Sequence, residues 1–135
     1  MLSHAKAELP NECCGLLAGR TPEERAMPGD PVARVQACYP LVNAAASPVE
    51  YLSEPRSIFE AVREMRRLGL EIVAAYHSHP TSEPVPSRKD RERNYSADVM
   101  NLIISLKGDE PVVRGWWLTE QGFREAKWEV GMTNV

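Results

Sequence analysis

The chain has 135 residues and a formal net charge of −3, with 43% hydrophobic and 26% charged residues, an ordinary composition for a globular protein. There is no excess of basic residues to meet phosphates, so nucleic acid is not expected as a partner. No stretch approaches the roughly 18 apolar residues of a membrane span. The N-terminal residues MLSHAKAELPNE lack the apolar segment of a signal peptide. We therefore expect a cytoplasmic protein with no membrane partner and a single domain over residues 1–135.

The cysteines are three in number, and an odd count argues against a disulfide framework. Cys13 and Cys14 are neighbours, whereas Cys38 stands alone. Either of the first two could serve as a nucleophile or a metal ligand. The apolar residues that follow them favour reduced, buried cysteines instead.

The first half of the chain predicts a helix end followed by strands. Residues 1–9 are typical of the end of a helix, which Pro10 stops. A region rich in Pro and Glu, residues 21–31, predicts a surface loop. Small apolar residues or alternating apolar and polar residues predict strands over residues 13–19, 32–39 and 51–53.

The clearest predicted helix begins at Pro55 and ends before Gly69. Proline suits the first turn of a helix, and Ile58, Val62 and Met65 repeat at helical spacing. Glycine is the residue that most often follows a helix C-terminus. We therefore expect a long amphipathic helix packed on a sheet.

The second half of the chain predicts a buried strand, a short helix and three further strands. Residues 72–76, with the sequence IVAAY, form a short apolar run that favours a strand. A charged helix is expected from Ser87 to about Asn94. The remaining strands are predicted at residues 101–106, 112–118 and 123–130. The pattern as a whole predicts an α/β domain with one mixed, curved sheet.

Two of the three histidines lie directly after the strand at residues 72–76. If the strand continues through them, His77 and His79 project from the same face, and Pro80 ends the pairing. A proline-rich loop then leads to Ser87 and Asp90. Imidazoles and a carboxylate are ligands of catalytic zinc, which takes three protein ligands and leaves one position for water. His77, His79 and Asp90 are therefore a candidate metal site.

Each part of this pattern also has a simpler interpretation. Ser-x-x-Asp is a common helix start, in which Ser87 is the N-cap and Asp90 lies in the first turn. A His-x-His pair is weak evidence as well, because buried histidines often only satisfy hydrogen bonds. Four such groups around one short loop favour a metal site over these separate explanations.

The spacing His77-Ser78-His79-Pro80, six residues, Ser87, two residues, Asp90 resembles the signature of the JAMM (MPN-plus) metalloenzymes. That family also carries a glutamate just before a small apolar strand, and Glu12 in PNECCGLLAG matches it. Without the downstream motif, Glu12 would be interpreted as a solvated acid at a turn. The resemblance implies a mixed-sheet MPN/JAB-like domain with the three-layer arrangement of the cytidine deaminases.

The resemblance also implies a zinc metallopeptidase or isopeptidase of the short prokaryotic type. By this likeness His77, His79 and Asp90 bind Zn²⁺, Glu12 is the general base, and Ser87 donates a hydrogen bond to the oxygen of the tetrahedral intermediate. Such enzymes cut the amide bond after the C-terminal glycine of a ubiquitin-like or sulfur-carrier protein. A carrier ending in Gly-Gly is therefore the expected partner. Both a monomer and a homodimer are compatible with the sequence.

Two other functions stay open at this point. One is a non-catalytic MPN binding module stabilised by zinc, although inactive relatives usually lose motif residues and none is lost here. The other is a peptidase acting on phage-tail or cell-wall peptides, although such enzymes commonly carry a second hydrolase domain. Hydrolysis of a carrier conjugate is preferred over both.

Overall fold

The structure is a computed structural model that describes residues 1–20, 33–94, 96–119 and 121–130. Its helices within these ranges are α1 (Leu2–Ala7), α2 (Pro55–Leu68) and α3 (Arg88–Glu92). Its strands are β1 (Cys14–Arg20), β2 (Arg34–Leu41), β3 (Glu71–His79), β4 (Met100–Ser105), β5 (Val112–Thr119) and β6 (Gly122–Ala126). The predicted loop at residues 21–31 lies outside the described residues.

The six strands form one mixed sheet in the order β2-β1-β3-β4-β5-β6. Only the β3–β4 pair is parallel among these strands, and every other neighbouring pair is antiparallel. A parallel pair needs a crossover connection, and here the crossover contains α3. The mixed sheet confirms the predicted fold class, and the crossover carries the polar residues that follow β3.

Helices cover both faces of the sheet and give three layers. On one face, Ala5 of α1 packs in a core cluster with Leu17 and Tyr76. On the other face, Ala61 and Met65 of α2 pack in a second cluster against residues of β1 and β2. This arrangement is the three-layer one that the family resemblance implied.

Helix α2 has the boundaries that its sequence predicts. Pro55 occupies the first turn, and Gly69 ends the helix in the left-handed conformation with a φ of 69°. Ala61 and Met65 are buried, while Phe59 is 66% exposed. The apolar face of the helix therefore covers the sheet, and Phe59 lies outside that contact.

Besides β3, three predicted strands differ from the observed ones by more than one residue at an end. Strand β2 runs on through Pro40 to Leu41; proline is tolerated there because β2 is an edge strand. Residues 51–53 form only an isolated bridge, between Ser53 and Asn43. The predicted strand over residues 123–130 is wrong beyond Ala126. There the chain leaves the ladder with Trp128 lying against Gly115, where an added Cβ would be 3.0 Å from the indole ring.

Tyr76 fills the core between β3 and α1. Its ring lies across Gly15, and a Cβ at that glycine would come within 2.1 Å of a ring carbon. Its hydroxyl group forms a 2.9 Å hydrogen bond with Nδ1 of His4. In the described part of the chain, no helix is long and apolar enough to cross a membrane.

Candidate metal centre

Strand β3 continues through both histidines, as the sequence predicts. His77 lies opposite Cys14 of β1 and Ile103 of β4. The side chains of His77 and His79 are buried, and their Nε2 atoms lie 3.2 Å apart. Alternation along the strand thus places both imidazoles on one face, as expected for a pair of metal ligands.

The loop after β3 is fixed by hydrogen bonds to its carbonyl groups. The indole Nε1 of Trp116 donates to the carbonyl oxygen of Pro84 at 2.9 Å. Nδ1 of His79 lies 2.8 Å from the carbonyl oxygen of Glu83. A carbonyl can only accept, so Nδ1 of His79 carries the proton and the neutral ring presents a lone pair on Nε2.

Ser87 and Asp90 form a capping box at the start of α3. The backbone N–H of Asp90 donates to Oγ of Ser87 at 3.1 Å, and the backbone N–H of Ser87 donates to Oδ2 of Asp90 at 2.9 Å. The same Oδ2 atom lies 3.1 Å from Nε2 of His77 and 3.1 Å from Nε2 of His79. The helix-cap interpretation of the Ser-x-x-Asp pattern is therefore confirmed, and the same cap directs the Asp90 carboxylate at the histidines, as a metal site would require.

The surroundings of Asp90 keep it ionised. Burial by itself would raise its pKa, but hydrogen bonds from His77, His79 and the backbone N–H of Ser87 hold the pKa well below its usual range. For His79, burial lowers the pKa, whereas the hydrogen bonds to Asp90 and to the Glu83 carbonyl raise it, and the net effect is upward. Asp90 therefore presents a negative charge to the two imidazoles.

Glu12 completes the cluster from the residues just before β1. Its side chain is 3% exposed, and its Oε1 atom has no hydrogen-bond partner among the described residues. Burial, and secondarily the charge of Asp90, raise the pKa of Glu12 to about 8, although His79 acts in the opposite direction. One ligand atom from each of Glu12, His77, His79 and Asp90 lies within 4.8 Å of the others. The structure thus brings these four predicted residues together.

Ser87, the fifth predicted residue, is exposed next to this cluster. Its hydroxyl oxygen accepts the hydrogen bond from Asp90 described above. A hydroxyl that accepts in this way keeps its own proton for donation to another group. Its predicted role at the tetrahedral intermediate stays a prediction.

The segment of residues 43–53, here called the cover segment, lies over the metal centre. The Tyr51 ring stacks on the His77 ring, with centroids 4.6 Å apart and an angle of 28° between the ring planes. Glu50 pairs with Lys89 of α3 at 2.7 Å, and Arg93 donates to the Tyr51 carbonyl oxygen at 3.2 Å. These contacts fix the cover segment to α3 across the site.

The cysteines beside the site are free and buried. Ser53 donates a hydrogen bond to Sγ of Cys14 at 3.6 Å. Burial raises the pKa of Cys14 to about 11 and also raises the pKa of Cys13. A thiol with such a pKa stays protonated near neutral pH, which agrees with the predicted reduced, buried cysteines rather than with nucleophiles or ligands.

The donor atoms fit a single metal ion. The Nε2 atoms of His77 and His79 and the Oδ2 atom of Asp90 form a triangle with sides of 3.1, 3.1 and 3.2 Å. Ligands about 2.0–2.1 Å from a tetrahedral ion stand about 3.3–3.4 Å apart, close to these sides. The unpartnered Oε1 of Glu12 is a further buried polar atom that faces no protein donor among the described residues. The four side chains could therefore hold a cation.

Comparison with known proteins finds relatives that include a desampylase and a CysO-cysteine peptidase. The chain is 39% identical to a desampylase of Haloferax volcanii over 114 residues, which is 80% of this chain and 75% of the relative. It is 31% identical to the CysO-cysteine peptidase of Mycobacterium tuberculosis over 107 residues, or 79% of this chain and 67% of the relative. Two other relatives are matched over 52% and 54% of their own length.

A solved structure and a family model agree with these relatives. The solved structure of a protein from Desulfitobacterium hafniense is 37% identical to this chain and superimposes on it with a TM-score of 0.77. The match covers 94% of this chain and 83% of the other. The family model described as prokaryotic homologs of the JAB domain matches residues 1–119. The predicted MPN/JAB-like fold and JAMM-type resemblance are thereby confirmed. The chain belongs to the family of prokaryotic homologs of the JAB domain.

Proposed function

We propose that the chain is a zinc-dependent isopeptidase that hydrolyses the amide bond after the C-terminal glycine of a ubiquitin-like or sulfur-carrier protein. The observation that carries this proposal is the convergence of Glu12, His77, His79 and Asp90 in one buried cluster. The peptidase names of the relatives support the same class of reaction. The proposal also takes residues 1–135 as one cytoplasmic domain, either a monomer or a homodimer, with no nucleic acid or membrane partner.

Zinc is the proposed metal because two imidazoles and one carboxylate form the donor set of catalytic zinc sites. His77, His79 and Asp90 would hold the ion, which supplies a Lewis acid for the scissile carbonyl and lowers the pKa of a bound water. Asp90 is suited to this position because it stays ionised. His79 is suited because its Nδ1–H is directed at the Glu83 carbonyl oxygen, leaving Nε2 for the metal.

Glu12 is the proposed general base. Burial raises the pKa of Glu12. A positive charge beside the carboxylate lowers this pKa again, so that Glu12 is ionised near neutral pH and can accept a proton. It takes one proton from the attacking water and delivers it to the leaving amine nitrogen as the carbon–nitrogen bond breaks. Ser87 donates its hydroxyl proton to the oxygen on which negative charge develops.

The cover segment offers a backbone edge for an extended substrate tail. The backbone N–H of Ala44 donates to the Leu52 carbonyl oxygen at 2.7 Å, and the backbone N–H of Glu54 donates to the Val42 carbonyl oxygen at 2.9 Å. Because backbone groups alternate in direction along an extended chain, the groups of residues 51 and 53 face away from this pairing. The Tyr51 carbonyl oxygen accepts from Arg93, so the edge consists of the N–H of residue 51 and the N–H and carbonyl of residue 53. A Gly-Gly tail is proposed to add to that edge, where a side chain on the last glycine would prevent a close approach to the metal.

Incubation of the zinc-loaded protein with carrier fusions ending in Gly-Gly-X tests this function. We expect cleavage between the second glycine and X, no cleavage after chelation, and loss of most of the rate when the last glycine is replaced by valine. The products are identified by intact-mass spectrometry. Equal cleavage of the valine fusion, or of unrelated unfolded peptides, would indicate a general peptidase. No cleavage of any fusion by protein with a full complement of zinc would favour the binding module.

A further inference from the structure

The side-chain amide of Asn43 uses its whole hydrogen-bonding capacity within the described residues. Its Nδ2 atom donates to the carbonyl oxygens of Glu12 at 3.0 Å and Glu50 at 3.1 Å. Its Oδ1 atom accepts from the backbone N–H groups of Ala45 at 3.0 Å and Leu52 at 2.9 Å. An amide has two donor hydrogens and two acceptor sites. Asn43 therefore joins both ends of the cover segment to the main chain of Glu12.

The main chain around Glu12 is held from two sides, because Cys13 exchanges hydrogen bonds with Ser78 of β3 and Glu12 itself is bonded to the cover segment. Glu12 lies two residues before β1 begins at Cys14, so it lies outside the sheet ladder. Its N–H donates to the carbonyl oxygen of Ser47 at 2.8 Å, and its own carbonyl oxygen accepts from Asn43. Both backbone polar groups of Glu12 are thus bonded to the cover segment.

The buried Oε1 atom of Glu12 accepts no hydrogen bond from any of the described residues. The direction of the carboxylate is then set by the backbone and by packing. A displacement of the main chain at Glu12 is carried directly to the carboxylate, with no second contact at Oε1 to hold it in place. The hydrogen bonds of the Glu12 backbone to the cover segment are for this reason the contacts made by Glu12 itself that hold the carboxylate in position.

We propose that Asn43 is a positioning residue that holds Glu12 over the metal centre. Its importance for turnover rests on the proposed function, in which Glu12 is the general base. The same amide orders the stretch between Glu50 and Leu52, which contains the Tyr51 ring stacked on His77. Asn43 thereby fixes the position of Glu12 relative to the Tyr51 ring, which lies on one side of the site.

Two variants of Asn43 and one control separate this role from general destabilisation. Asn43→Ala removes all four hydrogen bonds. Asn43→Asp keeps an acceptor for Ala45 and Leu52 but removes the donor toward Glu12, and it serves if the alanine variant does not fold. The control is Asn94→Ala, because the Asn94 amide also links two segments: it donates to the Leu118 carbonyl oxygen and accepts from Asn101.

We expect the Asn43 variants to keep about one equivalent of zinc and lose turnover. A misplacement of about 1 Å can cost a rate on the order of 100-fold, so kcat for a Gly-Gly-X fusion should fall by about that factor, with a smaller change in KM. Amide hydrogen exchange at Glu12 should accelerate while exchange within the sheet is unchanged. Crystal structures of the zinc-loaded variants should show the Glu12 carboxylate outside the 4.8 Å cluster. Asn94→Ala should show none of these changes.

A Glu12 carboxylate that keeps its place in both variant structures would overturn the proposal, as would an unchanged kcat in an active enzyme. A kcat loss of equal size in Asn94→Ala would do the same, because the effect would then be one of stability alone. If the wild-type protein cleaves no fusion, the proposed function fails. The crystal structures and the exchange rates then still decide whether Asn43 holds Glu12 in position.

Discussion

Replacement of Glu12 by glutamine should stabilise the metal-free protein at high pH while it abolishes hydrolysis. Glu12 is buried, and burial raises its pKa from 4.5 to about 8. Below pH 4.5 the residue is protonated in both the folded and the unfolded chain. Between pH 4.5 and about 8 the unfolded chain releases the proton and the folded chain retains it. The folded state therefore loses stability as the pH rises through this window, and the loss is complete above about pH 8.

The magnitude follows from the size of the pKa change. Each pKa unit corresponds to about 1.4 kcal/mol, so the change from 4.5 to about 8 corresponds to at most about 5 kcal/mol. Screening by water near the site reduces this figure, and we expect about 2–4 kcal/mol. Glutamine is neutral at every pH and escapes the penalty. The advantage of Glu12→Gln in the free energy of unfolding should therefore grow by about that amount between pH 5 and pH 9.

Guanidinium denaturation of chelator-treated protein at the two pH values measures this difference. For a chain of this size, the corresponding gain in Tm at pH 9 is about 5–15 °C. Glu64→Gln is the matched control, because its carboxylate is exposed and bonded to Arg67, which lowers its pKa. Removing that carboxylate should not stabilise the protein at pH 9.

The reasoning is refuted if Glu12→Gln and wild type differ by the same free energy at pH 5 and pH 9. That outcome would mean that the Glu12 carboxylate is solvated in the folded protein. The zinc-loaded variant supplies a second check, since an amide cannot accept a proton and hydrolysis should be lost with the metal retained. Loss of zinc from Glu12→Gln would instead place Glu12 among the ligands.

Three further outcomes are expected. His77→Ala should lose most of about one equivalent of zinc by elemental analysis, and stoichiometric zinc in the His77→Ala, His79→Ala double variant would contradict the ligand assignment. Zinc affinity, measured by competition with a chelator, should fall as the pH drops through the raised pKa of His79, because the protonated ring cannot bind metal; a constant affinity from pH 5 to 8 would exclude this ligand. Gly15→Ala should cost about 1–3 kcal/mol in urea denaturation because its Cβ would overlap the Tyr76 ring. Gly108→Ala should be near neutral, because its Cβ would lie 4.0 Å from the Glu110 carbonyl oxygen.

Local patterns in the sequence predict the elements whose causes are local. Helix α2 has its apolar spacing, its initial Pro55 and its final Gly69 within 15 residues of chain, and all three act as predicted. Strand β3 begins as an apolar run, and its two-residue alternation of side chains continues through the histidines. Strand β6 was predicted too long because its alternation continues past Ala126, whereas its partner β5 pairs only as far as Gly115. Strand length depends on the partner, which a local pattern does not contain.

The sequence also determines which chemical groups are available to the site. The spacing from His77 to Asp90 is short, and a strand followed by a capped helix is enough to bring these residues together. Glu12 is far away in sequence, and only the family resemblance singled it out. The antiparallel pairing of β1 with β3, which sets Cys14 opposite His77, places Glu12 beside the histidines.

Only the tertiary structure decides the properties that depend on contacts between distant segments. The pKa of Glu12 is raised by burial under groups from several parts of the chain, and a sequence pattern carries no measure of burial. Asn43 followed by small residues suggests a turn, but nothing local indicates that its amide reaches Glu12 and Glu50. The stacking of Tyr51 on His77 likewise arises from packing alone. The sequence thus specifies the reacting groups, and the long-range contacts set their positions and protonation.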